Sequence, residues 1–182
     1  MRAKMTMAAF VAMAAAACLG GCAPASITGG DATLPAGEES PAFLDRVSSQ
    51  KTVSENDAMR GVLMLLEGKD ASETFRDRLA KLRSLRVVDS SWSCDANRPV
   101  TRGRLAYMLC QAIHVKGGVL LTLLGPSQRY CLRELRYQGI MASGIMTTEI
   151  SGGEYVAVMG RADRYKAVGE VPEIERPPEP GE

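Results

Sequence analysis

The sequence predicts a mainly α-helical fold: a single compact domain of helix-loop-helix repeats between a disordered N-terminal tether and a disordered C-terminal tail. Three observations predict it. Apolar residues return at helical offsets behind three hydroxyl residues whose segments start 47 and 50 residues apart. A second set of positions matches at a separation of 53 residues. Both ends of the chain have compositions that do not support a packed core.

The chain opens with Arg2 and Lys4, continues from Met5 to Cys18 with alanine, methionine and other apolar residues, and reaches "LGGC" at Leu19 to Cys22. The apolar run is too short and too alanine-rich for a spanning helix, which needs about 20 apolar residues. Residues 1–21 therefore read as a secretory signal. The combination resembles bacterial lipoprotein precursors, in which small residues ahead of a cysteine admit the signal peptidase. That resemblance implies lipidation of Cys22 and a mature chain of 161 residues. The competing reading is ordinary cleavage after Ala23 or Ala25. The resemblance also implies an address. An aspartate after the lipidated cysteine often retains such proteins at the inner membrane, so Ala23 favours the outer membrane, facing the periplasm. Residues 22–40, rich in Ala, Gly, Ser, Pro and Thr, form the flexible tether.

Residues 41–168 are the helical domain. Its three aligned segments are "VSENDAMRGVLMLL" from Val53, "VTRGRLAYMLCQAI" from Val100 and "ISGGEYVAVMGRAD" from Ile150. Ser54, Thr101 and Ser151 sit where an N-cap belongs, each with an oxygen available to the unpaired amides of a first turn. Asp57 and Glu154 stand three residues on, the spacing of a capping box. Upstream, Arg76, Leu79, Leu82, Arg83 and Val87 match Arg129, Leu132, Leu135, Arg136 and Ile140, giving the second and third units a leading helix. Before Val53 only "PAFLDRVSSQ" is available, so the first unit is expected to lack a full one. After the middle unit, Gly117 and Gly118 are expected to stop the helix. Val119 to Leu124 should be buried, as a short strand or an extension of the core, and Gly125-Pro126 should turn the chain.

This layout resembles the S-layer homology domain, clearest at "PVTRGRLAYMLCQAI" and "LRYQGIMASGIMTTEISGGEYVAVM". Thr101 and Arg102 match the start of that family's Thr-Arg-Ala-Glu motif, while Gly103 and Arg104 depart from it. The resemblance implies binding of anionic cell-wall polymers.

The tail, residues 169–182, holds five glutamates and four prolines and should contribute no stability. The body between Pro41 and Val168 carries 19 Lys and Arg against 13 Asp and Glu, a surplus of six. A basic body suits anionic partners such as lipid headgroups or envelope polymers, and equally a solvated arginine-rich surface.

Enzyme signatures are scarce. There is one histidine, His114, and no nucleophile elbow, phosphate loop or calcium loop. Cys94, Cys110, Cys131 and His114 make a conceivable zinc set, because Cys110 and His114 are four apart on one helix. Buried thiols or one disulfide among the three cysteines suit their apolar neighbours better. No metal or cofactor is expected.

Arg102 and Arg104 stand out, because cations in a first turn oppose the helix dipole. They either help hold an anion at the helix end, with Thr101, or reach sideways to Asp95 or to glutamates of a neighbouring unit. In the first case Arg104→Glu restores a capping box and stabilises the domain. Arg129, Arg133 and Arg136 line a second basic helix, a further candidate surface for anionic polymer or, like the acidic tail, for a protein partner.

The expectation is a non-catalytic, lipid-anchored envelope module that binds or scaffolds anionic polymer. The alternative is an accessory lipoprotein that docks a protein in an envelope assembly or secretion complex. No nucleic-acid partner is expected.

Overall fold

Each hydroxyl residue at the head of a repeat caps a helix. The computed structural model describes residues 40–115, 123, 125–172, 175 and 177. The expected signal segment, Cys22 and the expected tether through residue 39 lie outside the described residues. Among those described, the helices are α1 Ser40–Ser48, α2 Glu55–Glu67, α3 Phe75–Ser84, α4 Arg102–Ala112, α5 Gln128–Tyr137 and α6 Gly152–Val168. The fold is mainly α, and among the described residues the only β pairing consists of isolated bridges, Ser54 with Pro99 and Thr101 with Glu149.

The repeat helices are α2, α4 and α6. The Ser54 hydroxyl accepts from the Asp57 N–H at 3.0 Å, Thr101 from Arg104 at 3.4 Å and Ser151 from Glu154 at 3.3 Å. Only this half of the expected capping boxes forms at Ser54 and Ser151, because the Asp57 and Glu154 carboxylates turn to other partners. A complete capping box forms instead on α3, between Thr74 and Asp77.

The β-branched residues ahead of the caps meet one another. Val100 donates its N–H to the Val53 carbonyl at 2.8 Å, Ile150 to Val100 at 3.3 Å, and Val53 to Ile150 at 3.0 Å. These bonds close a ring, and all three residues are fully buried. One layer out the pattern recurs: Glu55 donates to the Arg98 carbonyl at 2.8 Å, Arg102 to Thr148 at 2.9 Å and Gly152 to Gln50 at 3.0 Å. Each helix start is thus paired with the loop of the next unit, giving approximate threefold symmetry. The ring satisfies backbone groups that would otherwise be buried without partners.

Leading helices obey the same cycle. α3 packs on α2, α5 on α4 and α1 on α6. The first unit therefore has its leading helix after all. α1 begins at Ser40, one residue inside the expected tether, and buries Phe43 and Val47 completely. What is short in that unit is the connection, residues 49–54 against 85–101 and 138–151. The 53-residue correspondence extends to the helix ends. Arg86 and Gly139 take positive φ, 58° and 73°, and Val87 and Ile140 donate to the Leu82 and Leu135 carbonyls at 2.9 and 2.8 Å. This is the six-to-one bond of a left-handed helix stop.

α4 stops earlier than expected. His114 supplies a positive φ of 47°, and Val115 donates to the Cys110 carbonyl at 3.3 Å. Gly117 and Gly118 lie outside the described residues. Of Val119 to Leu124, expected to be buried, only Leu123 is described, and it is 75% exposed. Gly125 turns the chain at φ 77° as expected.

At the centre, Tyr155 of α6 is fully buried, and its hydroxyl donates to the Ala58 carbonyl at 3.3 Å. Gly61 makes this possible, because a Cβ there would fall onto the tyrosine hydroxyl. The packed body continues past its expected boundary at Val168: Val171 is 1% exposed and joins the core, and Arg164 pairs with Glu175 at 3.2 Å. No helix of the described residues is long and apolar enough to cross a membrane.

Candidate functional site

The threefold ring brings each capped helix start against the next, so residues in first turns become neighbours across unit boundaries. The fate of Arg102 and Arg104 follows from this. Arg102, the first residue of α4, donates to Glu154 of α6 at 2.7 Å, in a pair whose side chains are 13% and 23% exposed. Arg104, two residues on, reaches the other way, to Glu55 at the start of α2. Both therefore reach sideways to glutamates of neighbouring units. Asp95 contributes its backbone N–H, which donates to Glu55 at 2.9 Å. A cation that opposes its own helix dipole is offset here by a carboxylate from the adjacent helix start, where the dipole favours negative charge.

The richest constellation surrounds Glu55, whose side chain is 1% exposed. Besides Arg104 and the Asp95 amide, the carboxylate accepts from Arg98 at 2.9 and 3.1 Å. Its four bonds leave no capacity for a further donor of consequence. The hydrogen bonds from Arg98 to Glu55 also hold that guanidinium above its ordinary pKa. The arginines converge again on the loop Trp92-Ser93. Ser93 accepts through its carbonyl from Arg98 and from Arg104, the latter at 3.0 Å, and Trp92 from Arg83 at 2.7 Å. The Arg104 guanidinium lies 4.9 Å from the centre of the half-buried Trp92 ring, which in turn tilts against Tyr107 at 5.1 Å. Three guanidiniums thus gather around one aromatic loop and one buried carboxylate, at the boundary of the first and second units. The first-turn arginines were visible in the sequence. Glu55, Arg98 and Trp92 were not read there as site residues, and Arg83 only as a repeat position, because the contacts that join them across elements span 9 to 49 positions.

Thr101 caps α4 with its hydroxyl. Arg129, Arg133 and Arg136 are exposed along one side of α5, with Arg133 over the Tyr130 ring at 5.8 Å. They form a separate basic stripe that is not joined to the Glu55 cluster by any described bond.

Cys110 and Cys131 lie together between α4 and α5, and Cys94 and His114 do not complete a metal set with them. Among the described residues no three His, Cys, Asp or Glu side chains gather as a metal site. His114 is exposed at the helix stop, and the half-buried Cys94 thiol donates to the Trp92 carbonyl at 3.7 Å. Burial pushes the Cys94 thiol above its ordinary pKa, with the Glu55 charge adding to the effect. Cys110 and Cys131 are both buried, on α4 and α5.

No protein-family model, curated protein or solved structure matches this chain.

Proposed function

We propose that this chain is a lipid-anchored cell-envelope protein that binds anionic envelope polymer without catalysing a reaction. The observation that carries the reading is the imbalance at the boundary of the first two units. Arg98 and Arg104 converge on one buried carboxylate, Glu55, and Arg83 on the Trp92 carbonyl of the same aromatic loop. An excess of guanidinium over carboxylate next to a half-buried indole favours a ligand with carboxylate, phosphate or pyruvyl groups on a saccharide backbone. The cyclic arrangement of three capped helices supports the S-layer homology resemblance, and with it an envelope role. The basic start, apolar run and "LGGC" support anchoring through Cys22 at the outer membrane.

Arg98→Gln tests the reading, since its side chain is 39% exposed and Arg104 still holds Glu55. The variant should bind purified sacculi several-fold more weakly, with a reduced salt dependence. Binding equal to the wild type would remove the polymer-binding proposal.

The exposed stripe of Arg129, Arg133 and Arg136, ending beside the 81% exposed Tyr137, favours a second reading. It suits docking of an acidic envelope protein in an assembly or secretion complex. Capture of such a protein by the wild type but not by a triple alanine variant of the stripe, with sacculus binding unchanged, would select it.

A further inference from the structure

We propose that Cys110 and Cys131 are a disulfide-forming pair that staples α4 to α5, and that Cys94 remains a free thiol. The two helices pack directly against each other, and Cys110 and Cys131 face across that contact with their thiols hydrogen-bonded to one another. Cys110 is 5% and Cys131 0% exposed, and both belong to the hydrophobic core. Two sulfurs held in contact by rigid helices need only a small approach to bond, whereas Cys94 is tied to the Trp92 carbonyl in a different loop. Of the three pairings open to three cysteines, this is the one the packing prepares.

In the closed fold Cys131 donates its S–H to Cys110, which holds the Cys110 thiol below its ordinary pKa, and the Cys131 thiol is pushed up for the same reason. With a disulfide oxidant, small-molecule or protein, the thiolate of either cysteine attacks one sulfur, forms a mixed disulfide and releases the other as a thiolate. The second cysteine then loses its proton and attacks the first one's sulfur, expelling the second thiolate. The pair has given up two electrons and two protons, and the oxidant has been reduced to two thiols. Burial of both sulfurs confines this exchange to folding or to local opening, and afterwards shields the bond from reductants.

Formation in the cell rests on the proposed envelope address, because cytosolic thiols are kept reduced; the pairing itself does not. The test uses the full chain in detergent with Cys18→Ser and Cys22→Ser, refolded in a glutathione and glutathione-disulfide buffer. The expected product is lighter by two hydrogen atoms, yields one peptide linked through Cys110 and Cys131, and is alkylated at Cys94 alone. It should melt on the order of 10 °C above the reduced form, as expected for a closed loop of this length. Alkylation of all three cysteines after oxidative refolding, or a linked peptide that contains Cys94, overturns the pairing. A parallel sample of the natural chain, acid-quenched directly from cells, separates the two readings. A pair that forms in the buffer but is found reduced in cells counts against the envelope address and leaves the pairing standing.

Discussion

The boundary between the first and second units is filled with charge, whereas the boundary between the third and first is closed with bare backbone. At the former, Arg104, three residues after its cap, meets Glu55, one residue after the preceding cap. The middle boundary uses the same two positions with the signs reversed, Glu154 against Arg102. At the remaining boundary the position after the cap is Gly152, which has no side chain, so Asp57 turns instead to Arg46 at 3.2 Å and Gln50 at 3.1 Å. The cause is the short connection of the first unit. It presses the end of α1 onto the start of α6, where a Cβ on Gly152 would fall onto the Val47 carbonyl and lie 2.9 Å from those of Ser48 and Gln50. Equivalent positions in a ring thus carry a carboxylate, a guanidinium or nothing, according to how much room the neighbouring loop leaves.

The sharpest way to break the comparison is Gly152→Ala. Because the obstacles are backbone atoms fixed by the ring, this substitution should cost about 3 kcal/mol or more in urea unfolding, at the upper end of overpacking effects. Gly153→Ala is its control. Nothing lies within 4 Å of a Cβ there, so helix propensity alone should act and stabilise by about 0.5 to 1 kcal/mol. Similar behaviour of the two variants would mean that the third boundary is not closed by backbone contact.

Next in size is the charged boundary. Arg104→Glu places a second carboxylate against the buried Glu55, so the stabilisation expected from a restored capping box gives way to a loss of about 2 to 4 kcal/mol. Adding Glu55→Arg reproduces the polarity found between Arg102 and Glu154, and the double variant should be more stable than Arg104→Glu alone. Additive losses across this cycle would show that the pair is not coupled.

The smallest effect belongs to the tail. Ending the chain after Val168 removes Val171 from the core and should cost about 1 to 2 kcal/mol, while ending it after Pro172 should leave the melting temperature unchanged. The expectation that everything from Gly169 onward is dispensable therefore shifts by four residues, from Val168 to Pro172. Equal midpoints for the two truncations would return the boundary to Val168.

Much of the fold was legible because its signals are local. Ser54, Thr101 and Ser151 act on amides three residues away, and Val53, Val100 and Ile150 precede them in every unit, so helix starts and repeat spacing can be read without knowing the tertiary structure. The match of Leu82 and Val87 with Leu135 and Ile140 likewise reflects a helix stop built within six residues. α1 escaped because its connection to the next cap is much shorter than in the other units, which hides the correspondence, and the stop of α4 escaped because His114 takes a conformation that glycine usually marks.

By itself, then, the sequence determined where helices begin and how often the unit repeats. Only the tertiary structure decided what the charges and thiols meet. Arg102 finds Glu154 and Arg104 finds Glu55, 52 and 49 residues away, and Cys110 finds Cys131 across a helix interface. A hydroxyl cap needs only its own first turn, but an ion pair or a thiol pair needs two helices brought together. Here the ring of three backbone hydrogen bonds determines which helix starts become neighbours.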